Sequence, residues 1–300
     1  MSAIRVQAPA KINLALRILK RRDDGYHELD TLFQAVSLSD TVVLSERRAP
    51  GVELRVMGAD VGPTEDNLAL RAVGVWQAAT GIEAAVDIRL TKRIPAGAGL
   101  GGGSSDAGAV LRGLEAMYGS PLGPVRLAEA GAELGADVAF FCGAAGLARG
   151  RGIGDDLSPL GDLPTRPLLI VTPATPVSTP AAYGWVAAER DAGGAVSEPL
   201  DMPETPTWSD LDLTLGNDFH AVVAGKVVEV ASAARAMEAA GLSTVLLSGS
   251  GSALFGFLPE HGAEEVVARV EASMSESSAR VFAVETLAEL PEPAPIAAQA

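Results

Sequence analysis

Between Val86 and Tyr118 the spacing of hydrophobic residues changes period. Val86, Ile88 and Leu90 alternate with polar partners, which is the two-residue period of a half-buried strand, and the run ends at Pro95. From Ser104 to Tyr118, Val110, Leu111, Leu114 and Met117 recur at helical spacing. The pattern predicts a strand and a helix joined by Gly97-Ala98-Gly99-Leu100-Gly101-Gly102-Gly103-Ser104-Ser105. A loop of this kind suits a phosphate chain: glycines let the backbone approach an anion, and the unpaired N–H groups and dipole of the helix start attract it.

Two further stretches carry chemistry. In Ala8-Pro9-Ala10-Lys11-Ile12-Asn13-Leu14-Ala15-Leu16 the alternation predicts a strand with Pro9, Lys11 and Asn13 on one face and Ile12, Leu14 and Leu16 on the other. The polar face fits a cleft wall or a solvated surface equally well. In Leu134-Gly135-Ala136-Asp137-Val138-Ala139-Phe140-Phe141-Cys142 a single acid precedes a strongly apolar run. A buried carboxylate needs donors or a cation, so Asp137 either caps a helix or faces a partner such as Lys11.

The glycine spacing fits more than one motif. Gly97, Gly99 and Gly102 satisfy G-x-G-x-x-G, but a dinucleotide-binding unit wants an acid at the end of a second strand about 20 residues on, where this chain has the turn and helix pattern of Pro121 to Arg126. No Gly-Lys-Ser/Thr closes the loop as in a Walker A motif, and no H-R-D or D-F-G follows as in a protein kinase. What remains is a phosphate loop without its own lysine. Its cation must come from elsewhere in the chain.

Taken together, three ordered segments resemble the GHMP small-molecule kinases. Pro9-Ala10-Lys11-Ile12-Asn13-Leu14, the loop from Pro95 to Ser105, and Ser248-Gly249-Ser250-Gly251-Ser252-Ala253-Leu254-Phe255 look like that family's motifs one, two and three. Arg22-Asp23-Asp24-Gly25-Tyr26-His27-Glu28-Leu29-Asp30-Thr31 is similar to the R-x-D-G-Y-H-x-L-x-T signature of the 4-diphosphocytidyl-2-C-methyl-D-erythritol kinase sub-family, which Leu134 to Val138 also matches. The resemblance covers roughly residues 5 to 287. Departures are small: Ala139 stands where proline is usual, and Asp155 where glutamate is common.

The resemblance implies an α+β, two-domain GHMP kinase fold, with a ribosomal-S5-like N-terminal domain and a ferredoxin-like C-terminal domain. It implies ATP and Mg2+ as cofactors, with Pro95, Ala96, Gly97, Ala98, Gly99, Leu100, Gly101, Gly102, Gly103, Ser104 and Ser105 around the nucleotide. Asp137 is expected to take the proton of the substrate hydroxyl, while Lys11 keeps it ionised and offsets charge on the transferred group. Asn13 is expected on the substrate side. His27 would bond a cytosine edge and Tyr26 stack on its face, with Tyr183 or Trp185 as second ring and Gly249 and Gly251 lining the cleft. The implied reaction is phosphorylation of the 2-position hydroxyl of a cytidine-diphosphate-linked polyol, on the route to isoprenoid precursors. A homoserine or mevalonate kinase is the alternative within the class, and a non-catalytic ligand-binding regulator of the same fold is the alternative outside it. Asp106, in the first helical turn, would repel phosphate if it pointed into the loop; it is expected to turn away and bond backbone N–H groups.

Composition sets the frame. With 300 residues and 48% apolar content the chain has material for a substantial core. The net charge of −15 argues against nucleic acid and anionic membranes as partners, and anionic substrates then need local cations. Arg17, Lys20, Arg21 and Arg22 before the Tyr26-His27 pair, with Lys92 and Arg93 before the loop, are candidates, or else solvated flanks. The single Cys142 excludes an internal disulfide, His27, His220 and His261 are scattered, and no run reaches the length of a membrane helix, all of which suits a cytoplasmic enzyme. Domains are expected at 1–160 and 165–287, crossing at Pro159 to Pro164. A long loop is expected from Asp191 to Asp212, helices at Asp218 to Ala240 and His261 to Met274, and a disordered tail over 288–300.

Overall fold

The computed structural model describes residues 3–58 and 66–296. Its first half runs β1 (Ala3–Arg21), β2 (His27–Glu46), β3 (Val52–Met57), α1 (Leu68–Thr80), β4 (Val86–Thr91), α2 (Gly102–Tyr118), α3 (Gly123–Ala132), α4 (Ala136–Cys142), β5 (Leu147–Gly152) and β6 (Asp156–Pro159). The second half runs β7 (Pro167–Thr172), α5 (Thr179–Asp191), α6 (Trp208–Thr214), β8 (Gly216–Asn217), α7 (His220–Lys226), α8 (Val228–Ala239), β9 (Leu246–Leu247), β10 (Leu254–Phe257), α9 (Ala263–Met274), β11 (Arg280–Glu285) and β12 (Ala294–Pro295).

The hairpin of β1 and β2 is the spine. A strand of 19 residues spans about 60 Å, long enough to serve both halves. Three register shifts in the β1–β2 ladder, at Pro9/Ala10, Asn13/Ala15 and Ile18/Arg21, bend it as it goes. The larger sheet orders β12-β1-β2-β4-β3, with β5 pairing β2 and β6, and β8 pairing β1 in parallel. A four-stranded antiparallel sheet, β11-β7-β10-β9, forms the second half.

Each half has its own core, and a third core joins them. Val6, Val42, Ile88, Trp76, Val110 and Leu114 pack α1 and α2 onto the first sheet, and Val171, Val230, Met237, Leu254 and Val270 pack α8 and α9 onto the second. Between them, Ile12, Leu14, Leu32 and Ile94 meet Leu168, Ile170 and Phe255 in one buried cluster. Residues 160–166, where the crossing is expected, connect β6 of the larger sheet to β7 of the smaller.

Several expectations change. Helix α2 starts at Gly102, two residues before the apolar spacing predicts, because glycines carry no periodic signal. The Asp191 to Asp212 stretch contains the start of α6, nucleated by a capping box between Thr207 and Asp210. The Asp218 to Ala240 segment is two helices, with Val227 extended between them. The tail is not disordered over 288–296: Leu290 is buried, Arg112 donates to the Pro291 carbonyl, and Ala294 and Pro295 pair with Arg5 and Ile4. Three prolines masked an edge strand, a position that proline tolerates. Residues 297–300 of that expectation lie outside the described residues.

Candidate active site

The loop after β4 crosses the middle of β1, where Lys11 N donates to the Leu100 carbonyl at 3.0 Å, and enters α2. Gly97, Gly99 and Gly101 all have positive φ, and Gly101, in a left-handed conformation, provides no side-chain cap for α2. The first N–H groups of a long helix therefore face the cavity in front of it. Gly99 is irreplaceable on space alone, since a Cβ there would lie 2.1 Å from the Ser248 carbonyl oxygen. That contact brings in the third motif: Ser248 Oγ donates to the Gly99 carbonyl at 2.9 Å, and Ala253 N donates to that of Ala98 at 3.0 Å. The cavity, about 510 Å3, is lined by Pro95 to Ser104, by Asp66, Asn67 and Leu68, and by Lys92 and Asp106. Ser105 lies just behind it, buried, with a hydroxyl that has no partner among the described residues.

Beneath the loop is a charged cluster that the sequence reading did not assemble. Lys92 Nζ donates to Asp106 Oδ2 at 2.5 Å and to Asp40 Oδ2, and Asp40 also accepts the Arg93 and Ile94 N–H groups. Lys92 is 7% exposed and Asp106 3%, so Lys92 is no solvated flank. Asp106 does not bond backbone N–H groups as expected; it takes a lysine across the strand-to-helix turn. Its Oδ1 is buried without a partner among the described residues. Burial pushes the Asp106 carboxyl up to about 8, with Lys92 opposing and Asp40 adding to the rise. The missed signal was a lysine and an acid, Lys92 and Asp106, placed on either side of a loop that folds back on itself.

A second cavity, about 200 Å3, opens from the first at Gly99 and Gly101. Lys11 and Asn13 line it from β1, and both are buried, so the polar face of that strand is a cleft wall. Lys11 Nζ donates to Asn13 Oδ1 at 2.7 Å, and Asn13 Nδ2 donates to Thr31 Oγ1 at 2.8 Å. Asn13 thus spends its polar ends orienting Lys11. Thr31, the last position of the Arg22 to Thr31 signature, ends this chain of bonds by donating its hydroxyl to the Ala15 carbonyl.

Asp137 reaches the same cavity from the first turn of α4, with Oδ2 3.6 Å from Lys11 Nζ. Its side chain is 33% exposed, whereas Val138 to Cys142 are buried behind it. Helix α4 is set against α2 through Gly108, where a Cβ would lie 2.6 Å from Phe141 Cβ. The helix that presents the loop therefore also fixes the carboxylate. Behind that face Cys142 is buried, its thiol pushed up to about 12 by burial, and it is no nucleophile.

The third cavity, about 500 Å3, continues outward past Leu29, Ile153, Thr179 and Tyr183, which border the second and third alike. Tyr26, His27 and Arg21 line it from the β1–β2 turn. His27 stacks on Tyr183, with ring centroids 5.0 Å apart and planes 11° apart, and Tyr183 meets Phe219 edge-on at 4.9 Å. Burial, then Arg190 and Arg21, hold the His27 imidazole below its usual range. Tyr26 is 64% exposed at the rim.

Two expected residues fall outside. Trp185, two positions after Tyr183 on α5, lines neither the second nor the third cavity, although both residues are partly buried against the C-terminal core. Gly251 does not border the cavity; its N–H closes a turn onto the Ser248 carbonyl, while Gly249 and Ser250 line the wall. Of the N-terminal basic cluster, Arg21 borders the outer cavity, Arg17 donates to the Thr214 carbonyl, and Arg22 pairs with Asp24 and Glu28.

Comparison with known proteins adds identity to this geometry. Residues 67–144 match the GHMP kinases N terminal domain. The chain is 40% identical over 264 residues to 4-diphosphocytidyl-2-C-methyl-D-erythritol kinase of Solibacter usitatus, covering 86% of this chain and 82% of that one. It is 37% identical over 297 residues to the enzyme of the same name from Moorella thermoacetica, covering 96% and 100%. A solved 4-(cytidine 5'-diphospho)-2C-methyl-D-erythritol kinase superposes with a TM-score of 0.76 at 36% identity, over 94% of this chain and 99% of that one. Homoserine kinase from Cytophaga hutchinsonii shares the fold, with a TM-score of 0.71 at 20% identity over 98% and 97%. With identities of this size over nearly the whole length, the chain belongs to the 4-diphosphocytidyl-2-C-methyl-D-erythritol kinase family, within the GHMP kinases.

Proposed function

We propose that the three cavities in series are one active site, which transfers the γ-phosphoryl group of ATP to the 2-position hydroxyl of 4-diphosphocytidyl-2-C-methyl-D-erythritol. The observation that carries this reading is the position of Lys11 and Asp137 in the middle cavity, between the glycine loop and the aromatic wall. A nucleotide triphosphate entering from one end and a cytidylyl polyol from the other would meet there.

The roles follow from chemistry. Phosphoryl transfer demands mainly alignment and charge compensation. The loop N–H groups and the α2 dipole hold the phosphates. Asp137 accepts the proton of the attacking hydroxyl, and Lys11, steered by Asn13, keeps that carboxylate ionised and faces the charge that develops on the transferred group. Mg2+ takes hard oxygen ligands and commonly keeps one carboxylate besides the phosphates. Asp106 would fit that need, since its Oδ1 has no partner among the described residues and the cation would displace the proton that burial favours. The ion would neutralise phosphate charge there.

Recognition of the cytidylyl group falls to the outer cavity, where Tyr26 and Tyr183 offer faces for stacking and His27 a donor and an acceptor for the base edge. Trp185 is withdrawn from this role and Gly251 from lining. The acidic net charge and the reduced, buried Cys142 support a small-molecule enzyme of the cytoplasm; among the described residues no helix is long and apolar enough to cross a membrane. A non-catalytic regulator would have no use for a lysine and a carboxylate opposed in the middle cavity.

The test is to incubate the purified protein with ATP, Mg2+ and, separately, 4-diphosphocytidyl-2-C-methyl-D-erythritol, its uridine counterpart, homoserine and mevalonate, and to detect ADP. Turnover is expected with the cytidylyl compound and rejection of the rest. Preference for homoserine or mevalonate, or no ADP with any acceptor, overturns the proposal.

A further inference from the structure

The two stacked rings of the outer cavity, His27 and Tyr183, come from distant parts of the chain, and one small cluster touches the segments that carry both. Asp218 Oδ2 accepts the Ile18 N–H at 2.8 Å and the Arg190 guanidinium at 3.3 Å, while Oδ1 accepts from Ser197 Oγ at 2.9 Å. Asp218 N donates to the Leu16 carbonyl at 3.0 Å. Arg190 Nη1 donates to the Leu19 carbonyl at 3.1 Å, and its Nη2 to that of Ile18. Both charged side chains are largely buried, at 16% and 14% exposure.

The position of this cluster gives it a role. Past Ile18 the β1–β2 ladder loses register and re-forms only where Arg21 faces His27. The strand end that carries the Tyr26-His27 turn is thus bent at a bulge, beyond which Arg22 N donates to the Tyr26 carbonyl at 2.8 Å. On α5, Arg190 lies seven residues, or two turns, from Tyr183, so both project from one face. The residue after Asp218 is Phe219, whose ring meets Tyr183 edge-on. One segment therefore pins the end of β1 through Asp218 and the Tyr183 ring through Phe219.

We propose that Arg190 and Asp218 are positioning residues for base recognition, fixing the end of β1 against α5 so that His27 is presented over Tyr183. The proposal rests on the reading of His27 and Tyr183 as base readers given above. The charges around His27 add a second reason for an arginine at this place. The ring is faced by Arg21 from β1 and by Arg190 and the Tyr183 phenol from α5, with Asp137 of α4 acting on that phenol. Burial and the two arginines disfavour the imidazolium. A neutral imidazole offers one donor and one acceptor, which matches an amine-and-acceptor base edge; an imidazolium offers donors alone.

The test measures kinetics for both substrates across pH with the wild type, Arg190→Gln, Arg190→Lys, Asp218→Asn and His27→Ala, with circular dichroism and melting temperature to establish folding. Arg190→Gln is expected to raise KM for the cytidylyl substrate about ten-fold, with kcat and the KM for ATP within about two-fold. The acid limb of its kcat/KM moves to higher pH, because His27 protonates earlier once the cation is gone. Arg190→Lys keeps the charge and so keeps the acid limb, with a smaller rise in KM. If Arg190→Gln does not fold, Asp218→Asn and Arg190→Lys carry the KM comparison. A folded Arg190→Gln with unchanged KM for the cytidylyl substrate, an equal rise in both KM values, or an acid limb that stays in place overturns the proposal. His27→Ala separates the two levels: no effect there removes the base-reading assignment, whereas a His27 effect without an Arg190 effect removes only the positioning role.

Discussion

The end of the cleft proposed to hold phosphate is made of backbone and buried charge, and the end proposed to read the base of side chains. At the first, contiguous residues turn through three positive-φ glycines into a 17-residue helix, over a buried Lys92-Asp106-Asp40 cluster that borders the cavity. At the second, rings from β2, α5 and the rim of a turn meet around an open cavity, and the outermost, Tyr26, is mostly in solvent. Backbone presents the same N–H groups to any triphosphate, so the first region suits what the proposed reaction shares with other kinases of this fold. In the proposed function, side chains assembled from distant segments would distinguish one base from another. The difference teaches where common chemistry and substrate choice reside in one cleft.

Substitutions at the junction and at either end break that comparison to different degrees. The largest effect is expected where the two regions meet: Asp137→Asn keeps the shape and removes the base, lowering kcat by about 10²–10⁴-fold with ATP affinity within a few-fold by direct titration. A variant retaining more than about a tenth of the wild-type rate would contradict the base role. Gly99→Ala comes next. Its Cβ collides with backbone that has no rotamer to yield, and the loop must part from the Ser248 segment. ATP affinity is expected to fall about ten- to a hundred-fold, and calorimetry giving an unchanged Kd in a folded protein would detach the loop from the nucleotide.

At the reader end, Tyr183→Leu and Trp185→Leu form a matched pair on one helix. The first is expected to raise KM for the cytidylyl substrate about ten-fold through lost stacking, while the second lowers melting temperature and leaves KM alone. Reversal of that order would exchange the two rings. The smallest expected effect concerns the buried acid. Asp106 sits at about 8 in the folded protein, above an unfolded carboxyl. Across about pH 4 to 8 the folded state therefore keeps a proton that the unfolded chain has released, and stability declines as pH rises through that window. Asp106→Asn cannot ionise, so its melting temperature should change less than the wild type's between about pH 6 and 9; parallel curves would show that Asp106 ionises without cost.

Much of the phosphate end was legible in order along the chain. The change from a two-residue to a helical period located the strand, the loop and the helix, and a glycine run at that junction has few other uses. Asp137 beside an apolar run and Lys11 on a polar strand face were likewise visible as candidates, because burial makes unusual demands of charge. Their meeting was not visible, and neither were the Asp106-Lys92 contact, the choice of Tyr183 over Trp185, nor the packing of residues 288–296 against β1 and α2. The period of a strand or helix says which residues share a face, since that follows from local backbone geometry. Which face meets which is decided by long-range closure: Gly108 lets α4 approach α2, the bent β1 reaches both halves, and Asp218 ties its end to α5. The tie from Asp218 to Ile18 alone joins residues 200 positions apart, a distance in the chain over which local spacing carries no information.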